Sequence, residues 1–445
     1  MLFVKDNHAV QTLVLGAHEI RGGAALAGLL KQLPKLTALD LSSCPFLHSL
    51  PEEIGALVAM RELLLVGDTR LPKLPDALTT LTAMHTLDLS GCESLVALPE
   101  SIGALVALQR LYLTQMKRDF EEKEKEEEKE DEKSGPNRRK TASAAVEGPG
   151  ITSLPDAICT LPALRHLSVG LAMLKALPER IGELSSLRTL SLTGSISLTA
   201  LPASTGRLAS LEYFELPDYS KALPETLLNG MSKLITLDLY GCTALTSLPP
   251  SFGACAASLQ TMYIGSLELG ELPDAICGLK ALKHLDMRVP SLTQLPAAFG
   301  SLGSLESLYI THANIASLPE SMGQLGALKV LRLSRCAALA SLPESMSECK
   351  ALEYLEVAEC NALGSLPSGF GALPNLMGVD FPGCEDLGDK LYDDPVVDEL
   401  EARGVGMFGP GIEIETAKYV EIKRRCNDDE DERKVRLTGL RATVV

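Results

Sequence analysis

Leucines recur along this chain with two superposed spacings. The local one is Leu-x-x-Leu-x-Leu, in which the last two leucines alternate with a single intervening residue, as in Leu87-Asp88-Leu89. Alternation of this kind predicts a short strand whose leucines face a core. The longer spacing is the return of the whole motif, from Leu36 to Met60 to Met84 to Leu108 and onward. Fifteen units follow, starting at Val10, Leu36, Met60, Met84, Leu108, Leu164, Leu187, Leu211, Leu234, Leu259, Leu282, Leu305, Leu328, Leu352 and Leu376. After the strand most units continue as Leu-Pro-x-x-Ile-Gly-x-Leu or close variants of it. Proline, whose ring holds φ at about −65°, suits the first position of a helix. In "PESIGALVAL", Ile102, Leu105 and Leu108 then follow at helix-like spacing. A short helix or 3-10 segment is therefore predicted on the outer side. One unit cannot bury its own leucines, but stacked units can.

The Leu-Pro-x-x-Ile-Gly-x-Leu-x-x-Leu frame resembles plant and Ras-group intracellular leucine-rich repeat proteins. The variant Leu-x-Leu-Ser-Gly-Cys-x-x-Leu, seen from Leu87 to Leu95, resembles the repeat region of plant nucleotide-binding immune receptors. The resemblance covers about Val10 to Leu387. It implies an α/β leucine-rich repeat solenoid of about 15 repeats, curved, with a parallel inner sheet and short helices or 3-10 segments on the convex side. Those receptors also carry a nucleotide-binding domain. No Gly-x-x-x-x-Gly-Lys-Ser/Thr occurs here, so this chain is not a complete receptor of that kind.

The expected organisation is a solenoid over 1–387 and a C-terminal cap helix with an acidic tail over 388–445. The period breaks once, between Leu108 and Leu164, which stand more than two periods apart. The excess is a charged insertion, 117–150, whose first half is nearly all Glu and Lys. It has no apolar face to bury and is expected to be solvated. Within it, Arg138-Arg139-Lys140 precedes Thr141 and Ser143 in the pattern of a basophilic kinase substrate, and phosphate there would reverse the local charge. In the C-terminal segment, "DDPVVDELEARG" predicts a helix from Pro395 that stops at Gly404. "IEIETAKYVEIKRR" alternates and predicts a strand.

Composition narrows the function classes. The formal net charge is −17, which disfavours nucleic acid and anionic membranes. No run of about 18 apolar residues is present to span a bilayer. Eleven cysteines, no glycosylation sequon and no secretory signal at the start agree on a reducing compartment, so a cytoplasmic protein is expected. No Cys-x-x-Cys pair, metal-ligand spacing or Gly-x-Ser-x-Gly elbow occurs. No catalytic residue, metal or cofactor is expected. Gly404-Val405-Gly406-Met407-Phe408-Gly409 matches Gly-x-Gly-x-x-Gly but lacks the strand before and the helix after that a dinucleotide site needs, and reads as a glycine-rich turn. The segment around Cys426 is too short for a typical catalytic domain.

Many of the cysteines share one address. Cys44, Cys92, Cys242, Cys336, Cys360 and Cys384 each lie three residues after the last core residue of a strand. A small side chain with a weak S–H donor can fill that corner and satisfy backbone carbonyls, so reduced thiols are expected.

The residues flanking and between the core leucines are expected to point into solvent on the concave face. Six of the nine tyrosines fall there: Tyr112, Tyr213, Tyr240, Tyr263, Tyr309 and Tyr354. The richest neighbourhood is Asp238, Tyr240, Tyr263, His284, Asp286, Arg288, Tyr309, His312 and Arg332. Aromatics and arginine are enriched at interface centres. The expected role is a non-catalytic scaffold or signalling regulator, a monomer binding a protein partner there, a signalling protein among the candidates. A sensor subunit working with a separate nucleotide-binding protein is the alternative. Asp40, Leu64, Val66 and Asp88 form an earlier second patch.

Overall fold

The computed structural model describes residues 10–15, 23–44, 46–68, 70–115, 150–384, 387, 395–409, 412–414 and 416–425. Thr141, Ser143, nearly all of the charged insertion and Cys426 lie outside them. The chain divides into two compact units, Met1–Leu211 and Glu212–Val445.

In the first unit each repeat contributes one strand: β1 (Thr12–Val14), β2 (Ala38–Asp40), β3 (Glu62–Leu64), β4 (Thr86–Asp88), β5 (Arg110–Thr114), β6 (His166–Gly170) and β7 (Thr189–Ser191). Successive strands pair in parallel, with core residue on core residue, as Leu63 on Leu87 and Leu87 on Leu111. β5 pairs directly with β6, Leu111 on Leu167, so the long interval between them leaves the ladder unbroken. A helix, α1 (Gly23–Leu30), backs the first repeat.

The second unit repeats the plan with β8 (Tyr213–Glu215), β9 (Thr236–Leu239), β10 (Thr261–Gly265), β11 (His284–Arg288), β12 (Ser307–Thr311), β13 (Val330–Ser334), β14 (Tyr354–Ala358) and β15 (Gly378–Asp380). Beyond the fifteenth repeat, α2 (Pro395–Ala402) buries Val396, Val397 and Leu400. Arg403 then donates to the carbonyls of Gly371 (2.6 Å) and Leu373 in the fourteenth repeat. Gly404, at φ 71°, ends the helix in the left-handed conformation that glycine adopts without strain. The next residues are a strand rather than the expected turn. β16 (Gly406–Gly409) adds to β15 in parallel, and β17 (Ile412–Ile414) returns antiparallel to it. The alternating stretch predicted as one strand to Arg425 instead splits. After β17, residues 417–425 form a helix, α3. Tyr419 and Ile422 are its buried residues, at the i, i+3 spacing of one helix face.

The outer segments are mainly 3-10 turns, and the proline stands one residue earlier than expected. Pro273, at φ −69° and ψ 145°, precedes its turn in an extended conformation. Its carbonyl accepts the Ile276 N–H at 3.0 Å, and Pro51 and Pro75 do the same for Ile54 and Leu78. The residue so anchored is the core residue of the turn: Ile54, Leu78, Ile276, Phe299 and Phe370 are all fully buried.

At the cysteine corner, Cys92 Sγ donates to the Leu65 carbonyl of the preceding repeat at 3.3 Å. Cys44, Cys360 and Cys384 do the same to Leu15, Leu333 and Val357 at 3.5, 3.5 and 3.1 Å. Ser195 Oγ takes the same place at 2.7 Å from the Val169 carbonyl. The residue just before the corner is left-handed in most of these units, which explains glycine in the Gly-Cys pair: Gly91 and Gly383 have φ of 75° and 69°. All ten described cysteines are buried thiols outside any disulfide. Burial pushes Cys92 up to about 12, helped by the Asp68 charge. Because all ten thiols are buried, alkylation at pH 8 is expected to leave them unmodified in the native protein and to reach them all in guanidinium, by intact mass. Native modification at Cys92 would contradict the packing.

Candidate binding face

Parallel pairing in the second unit aligns the residue between the two core positions of every strand. Tyr263, Asp286, Tyr309, Arg332, Glu356 and Asp380 stand in register on β10 to β15, and Asp238 continues the row on β9. A second row, two positions earlier on the same face, holds His284, Ser307, Val330, Tyr354 and Gly378. The two rows interlock. Tyr263 meets His284 edge-on at 5.6 Å between ring centroids, and His284 meets Tyr309 at 5.0 Å. The Arg332 guanidinium lies 5.3 Å from the Tyr309 ring centre and 6.0 Å from that of Tyr354. It also lies 3.4 Å from the Glu356 carboxylate. Four aromatic rings and the Arg332 guanidinium thus form one continuous chain across five strands, flanked by carboxylates.

Of the nine residues expected at the site, Asp238, Tyr263, His284, Asp286, Tyr309 and Arg332 come together in these rows. Tyr240 follows β9, where its N–H donates to Asp238 Oδ1 at 2.8 Å. Arg288 ends β11 and is exposed. His312 sits at a left-handed corner, φ 61°, with Nε2 3.3 Å from Arg335 Nη1, away from the rows.

Exposure differs from the expectation. Asp238 and Asp286 are 3% exposed, Tyr309 and Arg332 are 7% exposed, and Tyr354 is fully buried. Strands only about 4.8 Å apart press large side chains of one row together and shade the short carboxylates between them. Tyr263, His284 and Tyr240 remain half-buried.

The other cause of burial is α3, which lies against this face and had no counterpart in the expected site. Tyr419 and Ile422 pack with Tyr309, Val330 and Tyr354, with Met377 at the edge. Asp380 is the polar centre. It accepts from Tyr354 Oη at 2.7 Å and Tyr419 Oη at 2.8 Å, and Lys423 Nζ lies 2.9 Å away. Lys423 also donates to Tyr419 Oη at 2.8 Å and sits 4.8 Å from the Phe408 ring centre. Burial works against the charge on Lys423, but its bonds to Tyr419 and Asp380 prevail and hold its pKa above the ordinary value. Burial pushes Tyr419 up to about 12. Arg425 pairs with Glu353. Beneath the Tyr419 ring, two strands carry glycine. A Cβ on Gly378 would come within 2.8 Å of that ring, and one on Gly406 within 2.3 Å. The legible signal was this glycine pair together with Tyr419, Ile422 and Lys423 at i, i+3, i+4.

In the first unit Val14, Asp40, Leu64, Asp88 and Tyr112 align in the equivalent row. Val14 is 62% exposed, while Leu64 and Val66 are half-buried. Among the described residues no group of three His, Cys, Asp or Glu could hold a metal ion, and no helix is long and apolar enough to cross a membrane.

The leucine-rich repeat family model matches residues 35–57. A leucine-rich repeat protein of Leptospira interrogans is similar over 92% of this chain and 97% of its own, at 22% identity and a TM-score of 0.63. A chain of the Toll–Spatzle complex of Drosophila is similar over 89% of this chain and 54% of its own, at 16% identity and a TM-score of 0.59. No curated protein matches the chain in sequence. With the strand-and-turn geometry, these likenesses support a leucine-rich repeat protein with the solenoid fold of that class.

Proposed function

We propose that this protein is a non-catalytic interaction scaffold or signalling regulator, cytoplasmic and monomeric, that binds a protein partner on the strand face of its second unit. The observation that carries this is the aromatic and cationic chain Tyr263–His284–Tyr309–Arg332, bordered by Asp238 and Asp286. Rigid rings and arginine supply contact area at little entropic cost and dominate interface energetics. A repeat ladder offers them as a broad surface rather than a pocket.

Alanine at Tyr263, Asp286 and Tyr309 together is expected to remove partner capture in affinity purification with mass spectrometry. At about 2 kcal/mol for each of the two tyrosine anchors, affinity falls roughly a thousandfold. Tyr309→Phe, which keeps the ring, serves as the folded control, and circular dichroism verifies the triple variant. Undiminished capture by a folded triple variant would overturn the site.

A further inference from the structure

We infer that α3 is an internal stand-in for the partner: the face over β12 to β15 is built to take a basic amphipathic helix, and α3 occupies it until such a helix displaces it. This rests on the binding-face reading and deepens it by stating the partner's chemistry.

The seat is specific. Gly378 and Gly406 leave a trough into which the Tyr419 ring fits, and any side chain at either position would collide with that ring. Glycine is costly in a strand interior, where it has no side chain to pack, and close approach of another group is what it permits. Asp380 reads the ring's hydroxyl at 2.8 Å and the cation one helical turn on at 2.9 Å. Glu353 takes the arginine two residues beyond, Arg425. The recognised pattern is an aromatic at i, an aliphatic at i+3, a lysine at i+4 and an arginine at i+6. Up the row from Asp380 stand Glu356, paired with Arg332, then Tyr309, Asp286, Tyr263 and Asp238, so a longer helix lying along the row meets the half-buried Tyr263 and His284 beyond α3.

The hold is weak enough to be released. Over the described residues 417–425, few side chains fasten α3 to the face. Its apolar anchors are Tyr419 and Ile422, and Val420 is 52% exposed. Local elements with few buried apolar contacts open at a fraction of the global stability. An incoming helix competes against that small opening free energy rather than against the fold.

The test uses the full chain and a fluorescent peptide of its own residues 416–425, TAKYVEIKRR. In Tyr419→Ala/Ile422→Asp the internal helix is released and the trough is intact. Fluorescence anisotropy is expected to show the peptide binding this variant about tenfold or more tighter than wild type, because the wild-type seat is occupied. Adding Gly406→Val, which fills the trough, is expected to abolish that binding. Equal binding to wild type and released variant, or none to either, would overturn the inference. Hydrogen exchange on wild type gives a reading independent of any variant. Amides of 417–425 are expected to exchange far faster than those of β13, and equal protection would make α3 an integral part of the fold. The two readings fail separately. Peptide binding to the released variant with unaltered capture by the triple variant removes the β10–β12 site and keeps the seat. Loss of capture in the triple variant without peptide binding keeps the site and removes α3 as its occupant.

Discussion

Asp68→Asn is expected to stabilise the protein above neutral pH and to make no difference near pH 4. Asp68 stands at the corner address where neighbouring repeats have Cys44 and Cys92. It is fully buried, and its Oδ1 accepts the Cys44 N–H at 2.8 Å. Its Oδ2 is buried with no partner. A thiol or hydroxyl here donates to a strand carbonyl of the preceding repeat, for which the equivalent is Leu41, whereas a carboxylate has nothing to donate. Burial first, then the Asp40 charge, outweighs the Cys44 N–H and raises its pKa from the ordinary 3.8 to about 7. The folded state therefore holds a proton that the unfolded chain releases. The associated stability is complete below pH 4, is lost as pH rises through 7, and is absent above it. The difference between about 7 and 3.8 corresponds to a ceiling of roughly 4 kcal/mol. An effective dielectric above that of a dry interior brings the expected gain down to about 2 kcal/mol. Asparagine keeps the acceptor for Cys44 and supplies an uncharged donor. Urea midpoints from pH 4 to pH 9 should show a variant-minus-wild-type difference that grows with pH and levels off above 7. A difference independent of pH would show that the carboxyl is not protonated in the native state.

Phe299→Ala is expected to destabilise the second unit by about 3–5 kcal/mol. Phe299 is fully buried at the head of a 3-10 turn, and its N–H donates to the Pro296 carbonyl at 3.0 Å. Alanine preserves the turn and leaves a void. A stack in which each repeat touches only its neighbours has few routes for relaxation into that void. Ile235→Ala, at a strand-adjacent residue 40% exposed, is expected to stay within about 0.5 kcal/mol. Matching urea midpoints for the two variants would mean that the turn phenylalanine does not carry core packing.

Much of this was legible in the chain because each repeat restates the same local chemistry. Strand alternation assigned Tyr263, Asp286, Tyr309 and Arg332 to one face, and the common period put them in one row, as the register shows. The cysteine corner was read from spacing alone. Its left-handed partner position was not drawn from the sequence, although Gly91 and Gly383 mark it. The proline was displaced by one residue because its fixed φ serves an extended step as well as a helix start, and only ψ separates the two.

Burial on the face was beyond such reading. Whether Tyr309 is open depends on Arg332 one repeat away and on Ile422 more than a hundred residues away. Ile412-Glu413-Ile414 alternates and is indeed a strand, but the pattern does not mark where it stops. Tyr419, Ile422 and Lys423 suit a strand or a helix in isolation, and Asp380, Gly378 and Gly406 select the helix by accepting it. Periodic local contacts therefore specified the solenoid, since every unit buries its leucines against a copy of itself. The occupant of its binding face rests on a few contacts between distant segments, for which no repeat supplies a second copy to read.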